Sequence, residues 1–137
     1  MSVGITIGQL ISENLNDPDK PKVKHARDLN APHVNNLPSF LHRNFFLMSA
    51  TGLKTFATAA NLNPLFYKED GHFKFEYPGY IDLTEDVLET ILVSQREYVK
   101  LKGQPGYLEA YNKFLRWMSF WVNWALNNCE KPVIYLN

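Results

Sequence analysis

Few side chains in this chain are able to do chemistry, and their spacing is poor for it. The four histidines, His25, His33, His42 and His72, show no His-x3-His pair and share the chain with one cysteine. A structural or catalytic metal needs three or four converging ligands, and this spacing supplies none of the usual sets. Cys129 follows an aromatic-rich segment and precedes Glu130, a setting that raises a thiol pKa and disfavours a nucleophilic role. No G-x-S-x-G turn surrounds any serine, and the seven glycines form neither a phosphate loop nor a dinucleotide fingerprint. His42-Arg43-Asn44 echoes part of a kinase catalytic loop, but the glycine-rich and metal-binding segments are missing. Asp82, Glu85, Asp86 and Glu89 gather carboxylates, and a helix start explains them through its dipole. No cofactor or metal site is therefore expected, nor any catalytic residue.

Two groups remain as candidates for binding a partner. Lys20, Lys22, Lys24 and Arg27 place four of the fourteen cations within eight residues, where they would meet either phosphates or an acidic protein surface. Asp17, Asp19 and Asp28 dilute that charge. Trp117, Phe120, Trp121 and Trp124 cluster at helical spacing, which fits a core helix. Three tryptophans within eight residues are also the kind of side chains that anchor interfaces.

The chain has 137 residues, the size of a single domain, with 45% hydrophobic and 14% aromatic residues. That composition buries a core without staples and excludes a wholly disordered chain. Fourteen cations balance fourteen acids, which argues against bulk attraction to polyanions. The balance is uneven: residues 1–68 hold seven Lys/Arg and four Asp/Glu, residues 69–137 seven and ten. From Leu29 to Tyr67 the only charges are Arg43 and Lys54, and from Trp117 to Cys129 there are none. Charge-poor stretches of this length suggest surface covered by another molecule, with core helices as the alternative.

The elements that must position these groups follow from periodicity. Ile7, Leu10, Ile11 and Leu15 predict a short amphipathic helix over Thr6–Leu15. Residues 16–37 are polar and punctuated by Pro18, Pro21 and Pro32, and read as an extended arm or long loop. Ser39 to about Met48 reads as a helix after Pro38, and Leu53, Phe56, Ala57 and Ala60 as a second one beyond a small-residue break. Asp70-Gly71 predicts a hairpin over about 65–77 with a type I′ turn, setting Lys68 opposite Phe73 and Phe66 opposite Phe75. Thr84 should cap a helix that buries Val87, Leu88, Ile91, Leu92, Tyr98 and Val99, with Leu83 and Leu88 forming a hydrophobic staple. The last helix should run from about Pro105 to Asn128, and Pro132–Leu136 is a candidate short strand added to the hairpin.

The expected fold is α+β but mainly α: a small helical bundle with one hairpin, forming a single domain over residues 1–137 with an arm at about 16–37. The leading functional expectation is a non-catalytic protein-binding or assembly component that uses the arm and the low-charge aromatic surface. Such an architecture is shared, by analogy alone, with small viral or phage-type accessory proteins and with inhibitor or immunity proteins. A nucleic-acid-associated protein using the basic arm, and a small-ligand binder or enzyme with an aromatic pocket, are the alternatives. A protein partner or a homo-oligomer is expected. One cysteine and no apolar leader point to the cytoplasm or another reducing interior rather than secretion. Trp117 to Leu126, the most apolar segment, is far short of the ~20 residues that span a bilayer.

Overall fold

A computed structural model describes residues 2–11, 22–24 and 36–137. The chain begins with a long strand, not a helix. Val3, Ile5 and Ile7 alternate with Gly4, Thr6 and Gly8, and this two-residue period, with β-branched residues on one side, wins over the helical spacing of Ile7, Leu10 and Ile11. The strand is β1, Ser2–Ile11. A three-residue strand, β2, Lys22–Lys24, pairs with its far end, Leu10 opposite Val23.

The helix expected over Ser39–Met48 is absent. A 3-10 turn at Ser39–Leu41 gives way to strand β3, Phe45–Ser49, antiparallel to β1 with Ile5 opposite Phe46 and Gly4 opposite Leu47. Here too the deciding feature is alternation: Phe46 and Met48 pack against the core, while Phe45 and Leu47 are exposed. The small residues that looked like a break start the next helix. Ser49 caps α1, Ala50–Ala59, its side chain accepting from the Gly52 amide at 2.9 Å. A short α2 follows, Asn63–Phe66.

The turn at Asp70-Gly71 forms with a different register. Tyr67 lies opposite Phe73, and the Lys68 amide donates to the His72 carbonyl at 2.8 Å. Of the two turn residues only Gly71 has positive φ, so the loop has three residues with glycine in the left-handed position. The one-residue shift brings Tyr67 to the side of Phe73, where their rings stack at 5.2 Å. Phe66, expected in a strand, closes α2 instead and is buried.

Past this excursion runs β4, Gly79–Asp82, a strand the sequence reading misses by ending the hairpin at Pro78-Gly79. Thr84 caps α3, Glu85–Val99, as expected, and Leu83 and Leu88 are both buried at the staple positions. The buried stripe runs through Leu88, Ile91, Ser94 and Tyr98, which leaves Leu92 and Val99, expected inside, at the surface. Helix α4 spans Glu109–Asn128 and the last strand, β5, Pro132–Leu136.

β5 does not extend the hairpin; it lies between β1 and β4, antiparallel to both. The sheet is four strands wide, because β2 and β3 divide one edge of β1 between them. An antiparallel sheet with four helices therefore replaces the expected bundle with one hairpin. Strands that pair only across long insertions hid it from a local reading. One hydrophobic core lies on a single face of the sheet, where Val3, Ile5, Ile7, Ile134 and Leu136 meet α1 and α4, and α3 packs on α4. At its centre Phe114 of α4 meets Phe56 of α1 edge to face at 4.7 Å. Among the described residues, no helix is long and apolar enough to cross a membrane.

Candidate interaction surface

The tryptophans occupy the core. Trp117 and Trp121 are fully buried and Trp124 nearly so. The Trp117 indole N–H donates to the Arg43 carbonyl at 2.6 Å and that of Trp121 to the Leu41 carbonyl at 3.1 Å, which ties α4 to the segment entering β3. Phe120 is half-buried, edge-on to Trp121 at 5.2 Å, beside a shallow cleft of about 350 Å³ that also holds Arg116 and Leu92. Burial thus places the three tryptophans in the core of the monomer and leaves Phe120 at its surface. Of the basic group, Lys22 and Lys24 fall in β2, and Lys20 and Arg27 lie outside the described residues. So do His25, His33 and most of the arm.

The remaining reactive groups are kept apart. His72 stands 3.2 Å from Asp70 at the exposed turn, and its backbone and side chain together hold the Asp70 carboxyl below its usual range. His42 contacts the Leu37 carbonyl at 2.8 Å. Burial pushes the Cys129 thiol up. Among the described residues no serine, threonine or cysteine side chain hydrogen-bonds a histidine or carboxylate, and no three metal-ligating side chains converge. A cleft of about 470 Å³ lies between the end of α1 and α3. Two of its polar groups are engaged: the Ser94 hydroxyl donates to the Ala60 carbonyl, and Glu97 pairs with Lys100 at 2.9 Å.

The second face of the sheet stands out instead. Side chains alternate along each strand, so register decides which residues share it. Thr6 lies opposite Phe45 on one side and Tyr135 on the other, and Tyr135 opposite Tyr80, so one row runs Phe45, Thr6, Tyr135, Tyr80. In the next rows Gly4 faces Leu47, and Val133 faces Gly8 and Asp82. Asp82 is the single charge on this face of β1, β3, β4 and β5. A water-facing sheet surface ordinarily alternates into polar residues. Burial, and then the neighbouring Tyr77 phenol, raises the Tyr135 pKa.

Exposure on this face is concentrated at β3. Leu47 is 60% exposed, the most of any large hydrophobic described, and Phe45 is 40% exposed, whereas Val133 at the other end is sealed. Phe45 reaches diagonally across Gly4, where an added Cβ would lie 2.9 Å from the ring. Only glycine lets the ring lie down there, so Gly4 shapes the patch. Of the other exposed apolar side chains, Ile11 ends β1, and Leu92, Val93, Val99, Leu101 and Leu108 are spread over α3 and the turns that follow it, interleaved with lysines and glutamates. The charge-poor stretch from Leu29 to Tyr67 was the sequence signal that includes this surface; the helix expected over Ser39–Met48 concealed which residues face outward.

No protein-family model, no curated protein and no solved structure matches this chain.

Proposed function

We propose that this protein is a non-catalytic assembly component that binds another polypeptide through the second face of its sheet at β3. The observation that carries the reading is the exposure of Leu47 and Phe45 on a sheet face with one charge. Contiguous apolar surface of this kind marks contact sites more often than solvent-facing surface. The aromatic helix, filled into the core, takes no direct part.

A photo-crosslinking amino acid placed at position 47 in the native source tests the reading, with position 113 on α4, across the core, as control. Protein adducts at 47 and not at 113 are expected. Equal labelling at both positions, or adducts only with nucleic acid or lipid, would overturn it.

A further inference from the structure

Strand β3 offers a backbone edge as well as an apolar face. On β1 the even-numbered residues turn their amides and carbonyls toward β5: the Gly4 amide donates to the Asn137 carbonyl at 2.8 Å and the Leu10 amide to that of Lys131 at 2.9 Å. The odd-numbered residues face β3, as in the 2.9 Å bond from the Ile7 amide to the Asn44 carbonyl. Phe46 and Met48, opposite Ile5 and Val3, are therefore the β3 residues bonded to β1. The backbone of Phe45, Leu47 and Ser49 points the other way. The amides and carbonyls of Phe45 and Leu47 have no backbone partner among the described residues. The same three residues are the exposed ones of the strand.

The other sheet edges carry the features that discourage strand pairing. β4 has four residues, follows Pro78 and includes Asp82; β2 has three, follows Pro21 and includes two lysines. Phe45-Phe46-Leu47-Met48-Ser49 carries neither proline nor charge. An edge of this kind is a template for an added strand, whose main chain supplies the hydrogen bonds.

We infer that the added strand is β3 of a second copy of this chain, antiparallel about a two-fold axis at Leu47. This rests on the assembly reading above and names its partner. The edge is complementary to itself: the axis sets Leu47 against Leu47 of the other copy and Phe45 against Ser49, so that residues with outward-facing backbone meet one another. No charge opposes a like charge along the strand. The two exposed Leu47 side chains become cross-strand neighbours on one face, joining both patches into a surface that spans the axis. The two sheets become one, eight strands wide.

The test is sedimentation of the full chain over a range of concentration, together with hydrogen exchange at the Phe45 and Leu47 amides. A dimer is expected, with protection of both amides appearing as concentration rises. Leu47→Lys should shift the dissociation constant at least tenfold toward monomer, since it sets two cations against each other, while Leu101→Lys, at another exposed apolar position, should not. Circular dichroism of each variant reports folding, and exchange in the unmodified chain decides the matter if Leu47→Lys fails to fold. A monomer at every concentration overturns the inference. So does a dimer in which the two amides stay unprotected or which Leu47→Lys leaves intact. Crosslinking of a different protein at position 47 by a monomeric chain would overturn this inference and leave the assembly reading standing; a monomer without protein adducts there would remove both.

Discussion

Asn44 and Ile7 are joined twice: the Ile7 amide donates to the Asn44 carbonyl at 2.9 Å, and the Asn44 side-chain amide donates to the Ile7 carbonyl at 2.8 Å. The side chain thus stands in for backbone at the point where β3 begins, and Asn44 is only 3% exposed. Asn44→Ala strips a buried carbonyl of its partner, which costs about 1–3 kcal/mol. Urea unfolding should show that loss as a lower midpoint with an unchanged slope. Asn44→Asp should be worse, because an acceptor then faces an acceptor.

The two indole hydrogen bonds of α4 differ in what water can replace. Trp121 donates to Leu41, a buried residue, and Trp117 to Arg43, an exposed one. Trp→Phe at either site removes a donor and leaves space. At Leu41 the carbonyl is then stranded, with a penalty of about 1–3 kcal/mol, whereas at Arg43 water can take the donor's place. Trp121→Phe should therefore destabilise more than Trp117→Phe in matched denaturation curves. Equal losses would show that packing alone governs both sites.

Local signals with a mechanism were legible in the sequence. Thr84 with Leu83 and Leu88 marked the start of α3, because a cap and a staple act within one turn. Most of α4 was readable from its helical apolar spacing, and the strand at Pro132–Leu136 from its apolar run, both patterns within a local window. The sheet was not, since its strands are neighbours only through long-range pairing: Ile7 meets Ile134 across almost the whole chain. Apolar segments with two competing periods then default to helix, as Thr6–Leu15 and Ser39–Met48 did. The candidate surface inherited the same blindness. Its low charge was visible, but the outward direction of Phe45 and Leu47 depends on a register that no local window contains. Tryptophan enrichment pointed at α4 instead, where the rings fill the core.

Gly79 starts β4 where the main chain passes close to itself. An added Cβ would collide with the Glu76 carbonyl oxygen and come within 3.0 Å of the Phe75 ring. A backbone obstacle cannot rotate away, so Gly79→Ala must displace β4 or the chain before it, at a cost of roughly 1–3 kcal/mol or more. Gly103→Ala, with nothing within 4 Å of the new carbon but a φ of +89°, is the comparison. It carries only the left-handed backbone penalty of about 1–2 kcal/mol. Thermal unfolding should rank Gly79→Ala below Gly103→Ala, and near-ultraviolet dichroism should change for the first alone.

Cys129 caps the C-terminal end of α4, half-buried, its amide donating to the Ala125 carbonyl at 2.8 Å. Burial penalises the thiolate and raises the pKa. At pH 8 the folded chain should accordingly react with iodoacetamide more slowly than the same chain in urea, since only the thiolate attacks. The stability consequence has a definite sign. With the folded pKa above the unfolded one, the contribution of the neutral thiol is fully present below the unfolded value, about 8.5 for a free cysteine, and is lost as pH rises through the folded value. Cys129→Ala removes the titration, so the alkaline fall in stability should be shallower in that variant. Parallel pH profiles for the two proteins would show that Cys129 contributes nothing to it.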